Sequence, residues 1–154
     1  MAIESERKFL VDVRKLPPEI LKADFYAVES GYFTEFGNAI RVTHRVGGKC
    51  KFCLKSPVAE VRYEFEYTIP EPDARRMLDL SPTHLVKHRT VFQGWEVDRI
   101  ELGGTTEDLW IAEWEKHEGQ LEFPAVLPAW IVKEVTGEYE FSMQGLAWKW
   151  GRRT

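Results

Sequence analysis

The sequence predicts an α+β domain in which antiparallel strands dominate and a few short helices flank them. Three observations carry this. Apolar and charged residues alternate with a period of two along most of the chain, which is the pattern of strands. Turn signals such as Gly47-Gly48 separate consecutive alternating runs and favour hairpins. Prolines open the few stretches that have helical spacing. With 154 residues, 44% hydrophobic content and no internal repeat or low-complexity linker, the chain is expected to form a single domain, residues 1–154.

Taken in order, Met1 to Leu10 predicts the first strand, with Glu4, Glu6 and Lys8 on one face and Ile3, Arg7 and Phe9 on the other. Pro17 to Ala23 predicts a short helix. Phe25 to Phe36 predicts a strand bent near Gly31. Ala39 to Val46 and Lys49 to Lys55 predict a hairpin, followed by a strand over Val61 to Tyr67. Pro70 to Leu80 predicts a helix, and strands resume over Leu85 to Val91, Gly94 to Leu102 and Leu109 to Lys116. The spacing from Pro128 to Trp150 predicts two helical pieces broken near Gly137.

Composition removes several classes of function. A formal net charge of −4 argues against a nucleic-acid binder. No apolar run reaches the ~18 residues that span a bilayer, and the N-terminus lacks an apolar signal core. The expectation is a cytoplasmic protein with no membrane and no nucleic-acid partner. Cys50 and Cys53 form a C-x-x-C pair, but in a strand an offset of three puts the thiols on opposite faces, and no second Cys/His pair follows at zinc spacing. They are expected to be free thiols. His44 is out of phase with Arg41 and Arg45 and is expected to face the outer layer, where the six tryptophans also pack.

An open sheet wetted on one face also alternates apolar and charged residues. Here the charged faces of many strands collect long side chains of both signs and almost no serine or threonine. They hold Lys8, Arg41, Arg45, Lys51, Lys55, Arg62, Lys87 and Arg89 beside Glu4, Glu6, Glu64, Glu66, Glu96, Asp98, Glu113 and Glu115. If the strands close with these faces inward, unpartnered charges would cost several kcal/mol each, so the interior must be wet and filled by a ligand. A polyphosphate with a divalent metal would suit it. Glutamate oxygens fit Mg²⁺ or Mn²⁺, and Lys and Arg neutralise phosphoryl oxygens. The apolar faces would point outward, under the helices at Pro17 to Ala23 and Pro72 to Leu80 and under the C-terminal segment.

Glu4-x-Glu6-x-Lys8 resembles the ExExK signature of the CYTH, or triphosphate tunnel metalloenzyme, family. Further stretches resemble its small bacterial members in the same order: Ile40-Arg41-Val42, Leu54-Lys55-Ser56, Arg62 to Glu66, Lys87-His88-Arg89, Trp95 to Asp98, Ala112 to Glu115 and Glu134 to Gly137. The resemblance spans nearly the whole chain. It implies an eight-stranded antiparallel β-barrel, a tunnel with a polar, charged interior, that hydrolyses a triphosphate by direct attack of water on a terminal phosphorus. By that likeness Glu4, Glu6 and Glu115 are metal ligands for Mg²⁺ or Mn²⁺. Arg41, Arg45, Lys55, Arg62, Lys87 and Arg89 bind the substrate, and Lys8, Glu64 and Glu113 are catalytic. Where relatives often carry a second arginine two residues after the first, this chain has Thr43, with Arg45 one step further on the same face. Inorganic triphosphate is the first expectation for the substrate, because nothing in the chain reads as a base pocket. Thiamine triphosphate hydrolysis, cyclisation of ATP and a non-catalytic polyphosphate- or nucleotide-binding module are the alternatives. Exposed outer-face aromatics admit a homodimer.

Overall fold

The computed structural model describes residues 2–104, 106–117 and 119–154; Met1, with which the first strand was expected to begin, lies outside these. Eight strands close into an antiparallel barrel: β1 (Ile3–Val11), β2 (Tyr26–Tyr32), β3 (Ala39–Arg45), β4 (Cys50–Lys55), β5 (Val61–Ile69), β6 (Leu85–Phe92), β7 (Trp95–Glu101) and β8 (Leu109–Glu115). Around the barrel the order is β1-β5-β4-β3-β2-β6-β7-β8, and β8 pairs back to β1. A ninth strand, β9 (Ile131–Glu134), lies outside the closed ring and pairs with β1 at Phe9 and Leu10. The short helices are α1 (Pro18–Lys22), α2 (Glu71–Leu80) and α3 (Met143–Trp150).

The period-two pattern decides which way each strand faces. On β1, β7 and β8 the outward side chains Phe9, Trp95, Val97, Ala112 and Trp114 form an outer core with Leu16 and Ile20 around α1, closed by Trp130. Five T-shaped or stacked ring contacts tie Phe9, Trp95, Trp114 and Phe123 together, with centroids 5.1–5.9 Å apart. Helix α2 lays Ala74 and Leu78 on Val42 and Cys50, the outward residues of β3 and β4. His44 sits in this same outer layer, 4.0 Å from Glu71 of α2, as its phase predicts. Cys50 and Cys53 are both free and buried, one under α2 and one inside the barrel beside Arg41 and Lys55.

Two expectations are corrected. The first predicted C-terminal helix, after Pro128, is strand β9. β5 pairs with β1 only as far as Ser5, so that edge of β1 would leave backbone groups unpaired further along, and the β-branched Ile131 and Val132 sit where they are satisfied. The C-terminal helix α3 also does not cover an outer face. Its Met143, Leu146 and Ala147 pack against Leu10, Tyr32, Ala39, Leu85, Ile100 and Ile111. Five of them are in phase with the inward-facing charges of their strands, and Tyr32 points inward from β2, so α3 closes one end of the barrel with an apolar floor. The interior is therefore a cup with one plugged end.

The β6–β7 hairpin turns on two residues, Gln93 and Gly94, both at positive φ (48° and 89°). A Cβ at Gly94 would also overlap the Trp114 ring. Gly94→Ala is expected to destabilise the protein by about 2 kcal/mol, read as a lower urea midpoint with an unchanged slope.

Candidate active site

Above the apolar floor lies a cavity of about 410 Å³. Its walls carry seven cations (Lys8, Arg41, Lys51, Lys55, Arg62, Lys87, Arg89) and six carboxylates (Glu4, Glu6, Glu64, Glu66, Glu113, Glu115), with Tyr32, His117 and Met143 completing the lining. Eleven of the twelve site residues expected from the sequence meet here. Arg45 does not. It is exposed, stacks over the Tyr26 ring at 3.7 Å, and lines an adjoining cavity at the open mouth, of about 550 Å³, that shares Arg41, Lys51, Glu66, Lys87 and Arg89 with the central one.

Inside the cup the charges fall into three groups. Between β1, β4 and β5, Lys55 Nζ lies 3.0 Å from Glu4 and 2.8 Å from Glu64, and Arg62 Nε donates to Glu4 at 3.3 Å. The register places Glu4 opposite Arg62 and Lys55 opposite Glu64. Burial alone would raise the Glu4 carboxyl, but a hydrogen bond from Glu64 and the charges of Lys55 and Arg62 bring it down to about 2. Glu64 moves up in turn, through burial and its hydrogen bond to Glu4, so it is the more basic member of this carboxyl pair.

The second group spans β6, β7, β8 and β1. Asp98 is fully buried and accepts two 2.8 Å bonds from Arg89, with Lys87 Nζ at 3.7 Å. Arg89 also pairs with Glu96 and reaches Glu113 at 3.3 Å. Lys8 Nζ sits 3.4 Å from Glu113 and donates to the Phe141 carbonyl at 3.3 Å. Burial works against the Glu113 charge, but Lys8, Arg89 and Lys87 hold it well below the usual carboxylate range. In the third group Arg41 and Lys51 both bind Glu66, at 3.2 and 2.8 Å. Arg41 also reaches the Tyr32 hydroxyl at 3.5 Å, and its Nε is buried without a partner among the described residues.

Glu6 lies between these groups and lacks their compensation. It faces Glu115 across the β1–β8 ladder; burial and the neighbouring Glu113 charge push its carboxyl up to about 8. Burial likewise lifts Glu96 to about 7, with Glu113 and Glu115 adding to it against the pull of Arg89. This corner has more carboxylates than cations to neutralise them, and its donors are hard oxygens. That combination fits Mg²⁺ or Mn²⁺. Glu4, expected as a third ligand, is instead held by Lys55 and Arg62. Among the described residues, the candidate ligand atoms that lie within 4.8 Å of one another belong to Cys53, Glu64 and Glu66. The Cys53 thiol and the adjacent Arg41 and Lys55 suit a hard dication less well than the Glu6 corner.

Sequence reasoning assigned no site role to Glu96, Asp98 or Tyr32. The first two carry the same in-phase charge signal as their neighbours, whereas nothing in the sequence separates Tyr32 from a packing tyrosine. No helix among the described residues is long and apolar enough to cross a membrane.

The fold and site define a class: a closed eight-stranded antiparallel barrel with a charged, cation-rich interior. Solved structures share this fold. Two crystal structures of the protein NE1496, one of them described as an inorganic triphosphatase, match at 22% identity. They cover 94% and 96% of this chain and 97% and 95% of their own, with TM-scores of 0.55 and 0.57. A Bacillus halodurans protein described as a candidate adenylate cyclase matches at 20% identity over 75% of this chain and 82% of its own, with a TM-score of 0.54. At these identities the likeness is one of fold. No protein-family model and no curated protein sequence matches the chain.

The two raised carboxyls fix a pH dependence. In the folded, metal-free chain Glu6 and Glu96 keep their protons well above the ordinary value of 4.5, whereas the unfolded chain loses them near it. Folding is therefore opposed more and more as pH rises from about 4.5 toward 8. Without metal, the thermal midpoint is expected to fall between pH 6 and pH 8. Added Mn²⁺, which must displace those protons, is expected to bind more tightly at the higher pH and to reverse the trend.

Proposed function

We propose that the protein is a Mg²⁺- or Mn²⁺-dependent triphosphatase whose preferred substrate is inorganic triphosphate. The observation that carries this reading is the lining of the central cavity, in which thirteen of sixteen residues are charged and cations outnumber carboxylates. Such a wall matches an anion with charge along its whole length, and offers little to a nucleobase. The description of NE1496 as an inorganic triphosphatase agrees with it.

In this reading Arg41, Lys55 and Arg62 exchange their carboxylate partners for phosphoryl oxygens, Lys87 and Arg89 reach the phosphoryl oxygens while Arg89 stays anchored on Asp98, and the buried Nε of Arg41 gains an acceptor. Lys8, fixed by Glu113 and the Phe141 carbonyl, contacts the terminal phosphoryl group. Glu113, kept ionised by its cations, orients the attacking water by accepting its hydrogen bond. Glu64, whose carboxyl is raised by burial and by its hydrogen bond to Glu4, serves as the general acid toward the leaving phosphate. Glu6 and Glu115, joined by Glu4 once Lys55 and Arg62 turn to the substrate, would hold the metal. When bound, the metal supplies Lewis-acid neutralisation of the phosphoryl oxygens. Arg45 and the mouth cations guide the anion inward.

A second reading, an organic triphosphate or an ATP cyclase, has one observation of its own. A cavity of about 590 Å³ beside the mouth shares Glu6 and His117 with the central one and is walled partly by Trp114, Leu121 and Phe123. Product analysis separates the two. Incubation with inorganic triphosphate, thiamine triphosphate or ATP in the presence of Mg²⁺ or Mn²⁺ is expected to release phosphate fastest from inorganic triphosphate and to form no cyclic nucleotide. Cyclic AMP from ATP, or a preference for thiamine triphosphate, would overturn the substrate assignment.

A further inference from the structure

The outer face of the barrel is covered unevenly. α1, β9 and the Trp95 cluster shield β1, β7 and β8, while α2 shields β3 and reaches only the Ile69 end of β5. The remaining sector, β4–β5–β1, carries Leu54, Val61, Tyr63, Phe65, Tyr67 and Ile3 facing outward, and all six are exposed. The register makes them neighbours: Tyr63 lies opposite Ile3, Phe65 lies opposite Leu54, and Tyr63 stacks on Phe65 with centroids 6.3 Å apart. None of these six positions is charged, although the inward positions of the same strands nearly all are.

This sector also covers the shortest seam of the barrel. β1 and β5 share three residue pairs, whereas the other seven ladders have five to seven. Beyond Ser5, β5 diverges and β9 takes over the same edge of β1. Glu4 and Arg62 sit in that seam.

We infer that the β4–β5–β1 face is a homodimer interface in which a second copy of this chain packs its own β5 face across a two-fold axis. Scaled by the ~200 Å² that a large apolar side chain presents, the six exposures amount to about 600 Å² per copy. That is the upper end of what a monomer leaves exposed, and a pair of such faces reaches the roughly 1,200 Å² at which stable interfaces begin. A face without charge offers nothing to a charged partner, but it is complementary to itself. Two such sheet faces stack about 10 Å apart with their side chains interdigitated. The dimer would brace the β1–β5 seam from outside.

The full-length chain in a sedimentation-equilibrium dilution series tests this. Wild type is expected at twice the 18.0 kDa chain mass, and the Tyr63→Lys, Tyr67→Lys double variant, which sets like charges against each other across the axis, at 18.0 kDa with an unchanged far-ultraviolet circular dichroism spectrum. In case the double variant misfolds, amide exchange of the wild type is measured alongside. Val61 to Tyr67 are expected to be more protected at high protein concentration than at low. A monomeric wild type, a dimer that survives in the folded double variant, or β5 protection independent of concentration would each overturn the inference. The test does not depend on the triphosphatase reading.

Discussion

Replacing Glu6 by glutamine is expected to lower kcat/KM for triphosphate by at least about a hundredfold while making the metal-free protein more stable at pH 8. The two effects have one cause. Glu6 is partly buried, near Glu113 and opposite Glu115, so its charge is unfavourable until a cation arrives, and its carboxyl rises to about 8. Glutamine keeps the shape, removes the charge and cannot serve as an anionic ligand. A carboxylate that only stabilised the fold would behave differently, since its amide would leave stability lower or unchanged. Thermal midpoints at pH 8 without metal, set beside steady-state rates with Mn²⁺, separate the two roles. A Glu6→Gln protein that is less stable and fully active would sink this assignment.

Asp98→Asn is expected to act in the opposite direction on stability. Asp98 is fully buried and accepts both halves of the Arg89 fork, with Lys87 nearby. Removing the partner of a buried charge typically costs 3–5 kcal/mol. Glu96 and Glu113 also bind Arg89, so the expected loss is about 3 kcal/mol, at the lower end. Without its anchor Arg89 can follow Glu96 and Glu113 away from the position in which it meets the substrate, so KM for triphosphate should rise. Urea unfolding and initial-rate kinetics on the same preparation check both parts. An unchanged urea midpoint would show that the carboxylates around Arg89 compensate fully.

The strands and their charged faces were legible because apolar and charged residues alternate along them, whereas closure into an eight-stranded barrel with Glu4, Lys8, Arg62 and Glu113 inside came from the resemblance of the ordered motifs. The free thiols and the outward His44 followed from the same phase argument; of the six tryptophans expected in the outer layer, Trp95, Trp110, Trp114 and Trp130 pack there, whereas Trp148 packs against the apolar floor. The apolar floor was missed, although its signal is in the sequence. Along five of the eight inward phases the charges give way to an apolar residue at one end: Lys8 to Leu10, Glu113 to Ile111, Lys87 to Leu85, Asp98 to Ile100 and Arg41 to Ala39. Attention to the charges hid that switch, and α3 was therefore given an outer face to cover. β9 was missed for another reason. Its four residues form a strand because β5 leaves an edge of β1 unpaired, which is a tertiary fact that local pattern does not carry. Arg45 has the right phase for the cavity, but it ends β3 at the mouth, where Tyr26 holds it.

The most direct test of the central claim is the initial rate of phosphate release from inorganic triphosphate, titrated with Mg²⁺ and with Mn²⁺ against a chelated control. The charged cup predicts saturable turnover that is absent in chelator and rises with either metal. No phosphate release at any metal concentration, or release that chelation leaves unchanged, would contradict it.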